Sequence, residues 1–315
     1  MEVNCEIKVQ KCAAETYRPG TILKGLIKYN IIKDSAFKTI TVSFKGNGYL
    51  ILKHKQRENN LYTYRKREEY ADIDYIIYLN ETADKISAGA YETEFNFVLP
   101  ENLPPSFRYS TVRTKYLIKC EIMYYLRIKF EKFGIGQRPI KFKREVKIVS
   151  LVSPKLQMEP TVYGESKTLT LRTMFYRQKG TIKIEAVIQK SVLNPGERIV
   201  IECDVHNDSN VTITGVISRM FEIITFKSKG SREVPITESV ENTDSRSRPI
   251  YTGDTQSMNI EIVVPANAYT MENNNLVTRD YFVLILRKVY KQERVDRGKV
   301  DVRERNRAGS TNINK

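Results

Sequence analysis

Two histidines and four cysteines are the side chains of this chain best suited to nucleophilic or metal chemistry. His54 lies in the basic stretch LKHKQRE, and His206 lies beside Asn207 and Asp208. A catalytic triad needs a nucleophile, a base and an orienting group within hydrogen-bond reach, and the sequence near neither histidine suggests one. We therefore interpret His54 as a solvated loop residue and His206 as part of a turn at the end of a strand.

The cysteines, Cys5, Cys12, Cys120 and Cys203, form no C-x-x-C pair. Zinc sites and redox motifs use such spacings, and a reducing compartment keeps isolated thiols reduced. The glycine pairs GNG at Gly46 and GIG at Gly134 lack the spacing of a phosphate-binding loop and read as turns or bulges. The sequence thus predicts no catalytic residue, no metal site and no cofactor.

Clustered basic residues are the strongest functional signal. The chain has 315 residues and a formal net charge of +15, and such a field attracts phosphorylated segments, anionic lipid or nucleic acid. The stretch from Arg127 to Lys147 is rich in Lys and Arg, and Arg113, Lys115 and Lys119 alternate with other residues so that they share one strand face. Six residues form the candidate cationic surface for partners or phosphate: Arg113, Lys115, Lys119, Lys129, Lys141 and Lys143.

Two other interpretations of this charge are weighed against a partner surface. Outward strand faces are often charged simply for solubility and for protection of sheet edges. Nucleic-acid binding is disfavoured because the sequence carries no RNP, zinc-finger or KH signature and no helix-turn-helix periodicity. We therefore expect no nucleic-acid partner.

The elements that must position these residues are β-strands. Hydrophobic residues make up 41% of the chain, which is enough for globular domains, and Val3, Cys5, Ile7 and Val9 alternate with polar residues. Alternation with a period of two indicates antiparallel sheet with one solvated face, and many such strands at short spacing are typical of a β-sandwich. We find no convincing helix longer than three turns.

Several strand motifs occur twice, in the same order. In each half a Pro-Gly turn precedes a strand, a second strand ends at proline, and a third carries tyrosine. The pairs are YRPGTILKGLIKYN with LNPGERIVIECDVHN, EFNFVLP with NIEIVVP, and VRTKYLIKC with VTRDYFVLI. The halves therefore predict a duplicated scaffold. Since Cys203 takes the place of Ile27 and Cys120 that of Ile285, both thiols are predicted to be core residues.

The duplication sets the predicted domain boundaries. We predict an N-terminal sandwich over residues 1–152, a linker over 153–165 and a C-terminal sandwich over 166–292. The charged segment 293–315 is predicted to be disordered.

The second motif continues as LPENLPPSF and is followed by VRTKYLIKCEI, a combination that closely resembles the N-terminal domain of arrestins. The α-arrestin, or arrestin domain-containing, branch is the nearest match. The stretch that begins KGTIKIEAVIQKSVLNPGERIVIECDVHN is similar to the start of the arrestin C-terminal domain, and the resemblance covers about residues 1 to 290. It implies an all-β fold of two tandem antiparallel immunoglobulin-like β-sandwiches.

The resemblance also implies a non-enzymatic adaptor that binds membrane cargo tails or trafficking partners in endocytosis, protein sorting or signalling. Partners would be cytoplasmic tails of membrane proteins, phosphorylated ones included, with anionic lipid as a further partner. The sequence has no Pro-Pro-x-Tyr motif, so the ubiquitin-ligase pathway is expected to be reached only indirectly. The alternative is a structural subunit of a trafficking coat complex, similar to the cargo subunit of retromer.

No signal peptide and no apolar stretch of membrane-spanning length is apparent in the sequence. We therefore expect a cytoplasmic protein, peripheral at the plasma membrane or endosomes. The glycosylation sequons at Asn80, Asn207 and Asn210 are then expected to be accidental.

Overall fold

The structure is a computed structural model that describes residues 2–10, 16–55, 61–82, 84–113, 116–134, 136–149, 161–172, 177–189, 193–228, 233–272 and 274–289. This described part is built of strands and turns and contains no helix. It accordingly contains no helix that could span a bilayer. The predicted all-β class is confirmed.

The described residues form seventeen strands, numbered in chain order. They are β1 (Val3–Val9), β2 (Thr16–Tyr17), β3 (Ile22–Ile31), β4 (Phe37–Lys55), β5 (Leu61–Leu79), β6 (Gly89–Val98), β7 (Phe107–Val112), β8 (Tyr116–Lys132), β9 (Ile140–Ile148), β10 (Thr161–Arg172), β11 (Arg177–Ile188), β12 (Arg198–Asp208), β13 (Ile213–Lys227), β14 (Glu233–Ser239), β15 (Ser245–Arg246), β16 (Thr255–Val263) and β17 (Val277–Val289).

The chain divides into two compact units. The first comprises Met1–Val152 with Phe226–Val234 and Met271–Thr278. It contains a three-stranded sheet, β1-β3-β6, and a six-stranded sheet, β2-β9-β8-β4-β5, in which β7 also pairs with β8. Aromatic side chains join these sheets, since the Tyr29 ring meets Phe130 edge-on with ring centroids 5.3 Å apart. The two-residue strand β2 pairs with β9 in parallel, and the longer strands of this unit pair antiparallel as predicted.

The second unit comprises the remaining residues. Its strands form one sheet with the order β10-β11-β12-β16 and another with the order β14-β13-β15, in which β17 also pairs with β13. Buried aliphatic residues from both sheets, Ile201 and Met220 among them, make one core. The pairs β3–β6 and β4–β8 of the first unit are therefore repeated as β12–β16 and β13–β17 in the second.

In both units a backbone hydrogen bond joins the Pro-Gly turn to the residue before the proline stop of the neighbouring strand. Gly20 donates its backbone N–H to Leu99 O at 3.1 Å, and Gly196 donates to Val264 O at 2.9 Å. Both glycines have a positive φ, 76° and 82°, which favours glycine because it has no Cβ. Leu99 and Val264 stand directly before Pro100 and Pro265, the prolines that follow strands β6 and β16. The repeated motifs therefore form the same turn-to-strand contact twice.

The cysteines also follow the duplication. Cys203 and its counterpart Ile27 are buried, and so are Cys120 and its counterpart Ile285. Burial raises the pKa of the Cys120 thiol to about 12 and that of Cys203 to about 11. Cys5 is half-buried on the inward side of β1, and Cys12 lies outside the described residues. The predicted core role of Cys120 and Cys203 is therefore seen in the structure.

Alkylation of the buried thiols should be slow in the folded chain. Because only the thiolate reacts, the raised pKa values should slow iodoacetamide labelling of Cys120 and Cys203 at about pH 8 by roughly a hundredfold relative to the unfolded chain. Peptide mapping by mass spectrometry after timed labelling measures each cysteine separately. Equal labelling rates with and without urea would show that these thiols are not core residues.

One of the predicted domain boundaries, the end of the linker at residue 165, falls within a strand that the structure describes. Strand β10 begins at Thr161, so the last residues of the predicted linker lie in a strand. The earlier part of that linker and the predicted disordered segment 293–315 lie outside the described residues.

Candidate cationic surface

The outward face of the six-stranded sheet carries the largest group of predicted site residues. Along β8, alternate residues from Ile118 to Phe130 are buried, and the residues between them point to the other face. Lys119 and Lys129 both belong to this outward set. They are ten positions apart on one continuous strand, which corresponds to about 33 Å. The structure therefore separates the predicted surface into two places.

Three of the six predicted residues come together at the β8–β9 hairpin. Lys129 lies directly opposite Lys141, and the next outward pair is Arg127 with Lys143. Directly opposite residues in an antiparallel pair have Cβ atoms about 5 Å apart on the same face. We call Arg127, Lys129, Lys141 and Lys143 the cation quartet.

Arg127 is the member that sequence reasoning left out of the predicted surface. It stands two residues before Lys129, so its alternation with buried residues was visible in the sequence. Its importance comes from the pairing register, which places it opposite Lys143. No feature of the sequence alone fixes that register.

The predicted residues outside the quartet have different surroundings. Lys119 lies 3.4 Å from Glu121 and 5.4 Å from the centre of the Tyr49 ring, and hydrogen bonding to Tyr49 and Glu121 raises its pKa. Arg113 sits between β7 and β8, where its backbone exchanges hydrogen bonds with Tyr116. Lys115 lies outside the described residues. Arg113 and Lys119 thus make no continuous surface with the quartet.

The carboxylates nearest the quartet are held by other groups. On β5, Asp72 and Asp74 both pair with Lys45, and the Lys45–Asp74 distance is 2.9 Å. Burial tends to raise the pKa of Asp74, but hydrogen bonds from Lys45 and Ser43 and the positive charges of Lys45 and Arg127 hold it below its ordinary value. Two carboxylates thus share the single positive charge of Lys45, and Arg127 of the quartet also acts on Asp74.

Glu131 and Glu145 are also engaged. Hydrogen bonds from Thr39 and Lys129 lower the pKa of Glu131, which lies 3.2 Å from Lys129. Glu145 lies 3.5 Å from Arg108. Glu131 thus pairs with Lys129 and Asp74 acts on Arg127, whereas Lys141 and Lys143 form no ion pair with the described residues.

The members of the quartet make few other contacts. Lys143 lies 4.6 Å above the Tyr125 ring, and a terminal nitrogen of Arg127 donates to Ser43 Oγ at 3.3 Å. The Nε of Arg127 is buried and has no hydrogen-bond partner among the residues that the structure describes. Lys141 is exposed and makes no ion pair with any residue that the structure describes. The Lys141 ammonium can therefore bind an added anion, whereas the buried Nε of Arg127 is closed to one.

Neither histidine lies in a catalytic arrangement. His54 is a residue of β4 rather than of a loop as predicted, because β4 continues to Lys55, and its ring stacks on Tyr116 with centroids 4.8 Å apart. His206 lies near the end of β12, where its Nδ1 is 2.9 Å from Thr255 Oγ1. Among the described residues, no three His, Cys, Asp or Glu side chains gather as metal ligands do.

Comparison with protein families gave two matches that together span most of the chain. The model of the arrestin (or S-antigen) N-terminal domain matches residues 5–159, and that of the arrestin (or S-antigen) C-terminal domain matches residues 178–296. The two matches follow the order of the duplicated halves. A comparison with curated proteins gave no match.

Proposed function

Because the chain belongs to the arrestin family and has both of its domains, we propose that it is a non-enzymatic adaptor for membrane proteins. It binds cytoplasmic tails of membrane proteins or trafficking partners, in the manner of the arrestin domain-containing branch. The presence of both arrestin domains is the observation that carries this proposal. Action at the plasma membrane or endosomes and an indirect link to ubiquitin ligases belong to the same proposal.

A long sheet edge supports binding of an extended tail. Strand β5 is 19 residues long and has β4 as its single strand neighbour in the described part of the chain. Its second half exposes Tyr75, Ile76 and Leu79, each more than half accessible to solvent. An extended peptide can add to such an edge through backbone hydrogen bonds, while pockets for alternate side chains give specificity.

Charge placed on this edge should reduce tail binding. We expect the double variant Ile76→Lys and Leu79→Lys to weaken capture of membrane-protein tails at least tenfold, because lysine on an edge strand opposes strand addition. The measurement is pull-down from a detergent extract with the full chain, followed by mass spectrometry and by titration of the recovered tails as peptides. Val200→Lys, on an interior strand of the second unit, is the matched control.

The outcomes separate the adaptor from the coat-subunit alternative. Recovery of membrane-protein tails that depends on Ile76 and Leu79 supports the proposed function. Recovery of a fixed set of partners at equal ratio, stable through gel filtration, would instead favour the structural subunit of a coat complex. Recovery of no membrane protein by either variant or by the unaltered chain would overturn the adaptor proposal.

A further inference from the structure

Strand β16 forms a free edge of one sheet of the second unit. Its single strand neighbour in the described part of the chain is β12, and the two strands pair without a register shift from Thr255 to Val263. The sequence of β16 contains no Lys, Arg, Pro or Gly, and its one charged residue, Glu261, lies 2.8 Å from Arg198 of β12. Charged residues, prolines and bulges are the features by which edge strands resist pairing with another chain. The β16 edge therefore has little to oppose a further strand.

The hydrogen bonds at both ends of β16 show which backbone groups point away from β12. Val264 donates its N–H to Glu197 O at 2.8 Å, and Asp254 O accepts from the N–H of Asn207 at 3.0 Å. Val264 and Asp254 thus bond toward β12, and this direction alternates from residue to residue along an antiparallel strand. The backbone groups that face the free edge are those of Ser257, Asn259, Glu261 and Val263.

Nothing in the described part of the chain occupies this edge. No loop or turn there makes a backbone hydrogen bond to those four residues. Two edges of the first unit differ in this respect. Strand β6, the counterpart of β16, exposes Glu92 and Glu94. On β1, the side chain of Arg144 donates to Ile7 O at 2.7 Å and so occupies a backbone acceptor. The β16 edge is therefore more open to a further strand than either of these.

The core side of β16 is complementary to itself. In a symmetric antiparallel pair, the same surface of both copies meets across a two-fold axis. With Ile260 on that axis, the two copies of Ile260 lie opposite each other, and Met258 of each copy lies opposite Ile262 of the other. Ile260 and Ile262 are buried, and Met258 packs against the core of its unit. The core faces of two copies would therefore meet through apolar residues only.

The solvent side of the same pairing is also complementary. It places Asn259 opposite Glu261 and Ser257 opposite Val263, twice each by symmetry, so that no like charges face one another. Arg198 contacts Oε2 of Glu261, and the other carboxylate oxygen can accept from the Asn259 amide. These pairs join the residues whose backbone groups face the free edge, and together they exchange about eight backbone hydrogen bonds.

We propose that the edge of β16 joins two copies of this chain into a symmetric dimer, with Ile260 on the two-fold axis and one sheet continuous through both second units. The partner at this edge is thus a second copy of the same strand. The dimer is independent of the proposed adaptor function, because tail binding is assigned to the β5 edge of the first unit. A dimer would carry two β5 edges and could hold two tails at once.

Opposite charges introduced at Asn259 should change the dimer in opposite directions. Asn259→Glu places a glutamate opposite Glu261 twice, and we expect the dissociation constant to rise about tenfold. Asn259→Lys places an ammonium group opposite Glu261, and we expect the dissociation constant to fall about fivefold. Because so short an interface gives a weak dimer, sedimentation equilibrium of the full chain should cover about 1 to 200 μM.

The controls are Asn96→Glu and Asn96→Lys on β6. Asn96 is exposed, as Asn259 is, and it lies on the equivalent edge strand of the first unit. Both controls should leave the dissociation constant within twofold. All four variants alter an exposed side chain, so their melting temperatures, followed by circular dichroism, should stay within about 2 °C of the unaltered chain. Weaker association would then not come from unfolding.

Every result bears on this dimer. Opposite shifts with Asn259→Glu and Asn259→Lys support it, and a chain that stays monomeric at every concentration overturns it. An edge that instead binds a strand of another protein gives that monomeric result. Weakening by both Asn259 variants overturns the pairing, because Asn259 would then lie opposite itself, and an equal effect of the Asn96 variants overturns the site. Tail capture by the same variants tests the adaptor function separately.

Discussion

Replacement of Gly25 by isoleucine is expected to destabilise the first unit by about 3 kcal/mol or more, although isoleucine is the residue that the second unit uses at the equivalent place. Gly25 is the second inward position after the Pro-Gly turn in β3, and its counterpart Ile201 in β12 is fully buried. Urea unfolding followed by tyrosine fluorescence measures the change in the free energy of unfolding.

The reason lies in what fills the space above Gly25. A Cβ atom there would lie 2.3 Å from the backbone oxygen of Lys8 and 2.4 Å from the ring of Phe95. The Lys8 oxygen belongs to the neighbouring strand, since β1 pairs with β3 at this point, so it cannot move without breaking the ladder. In the first unit Phe95 supplies the apolar volume that Ile201 supplies in the second.

The control for this prediction is Lys24→Ile. Lys24 is the exposed neighbour of Gly25 on the opposite face of β3, so the change adds the same side chain without a clash and should alter stability by less than about 0.5 kcal/mol. Equal effects of the two substitutions would show that β3 tolerates the added volume and that the close approach of Phe95 does not limit it.

The scaffold could be predicted from the sequence because its signals are local or repeated. The alternation of Val3, Cys5 and Ile7 specifies one buried face regardless of the strands that lie beside it. The two Pro-Gly motifs and the two proline stops predicted equivalent strands, and the structure shows the same backbone contact in both units. The inward position of Cys203 followed from its alignment with Ile27.

The cation quartet could not be predicted in full because it depends on which residues of β8 and β9 lie opposite one another. Periodicity places Lys119 and Lys129 on the same face, but it does not show that one continuous strand carries both and so holds them about 33 Å apart. A shift of one residue in the pairing of β9 would have turned Lys141 and Lys143 to the other face. Turn length and core packing set that register, and neither can be read from the charges themselves.

Asn207 shows that a residue of the second half cannot always be predicted from its counterpart in the first half. Its counterpart at the end of β3 is the buried residue Ile31, and the sequence marks Asn207 as the first residue of a glycosylation sequon. The structure buries the Asn207 side chain completely. A buried amide must find its hydrogen-bond partners within the protein, so this position differs from Ile31 in chemistry while matching it in burial.

Replacement of Asn207 by isoleucine, its counterpart residue, is expected to destabilise the second unit by about 3 kcal/mol. The amide nitrogen lies 2.9 Å from Val211 O, 3.2 Å from Ile250 O and 3.1 Å from Tyr251 O, and the amide oxygen accepts from the backbone N–H of Ser209. Isoleucine would fill a similar volume and leave these buried groups without that partner. Thermal and urea unfolding of the full chain measure the loss.

Asp208→Ala is the control, because Asp208 is the exposed neighbour of Asn207 and its removal should change stability by less than about 0.5 kcal/mol. An effect of Asn207→Ile as small as that of this control would mean that the buried carbonyls had found other donors. The Asn207 amide would then not be the group that connects the chain after β12 to the segment around Ile250.

The expected large effect has a structural consequence. The duplicated strands share their burial pattern, but where β3 ends in an apolar contact, β12 ends in a hydrogen-bonded one, so each unit fixes the turn after this strand by different chemistry.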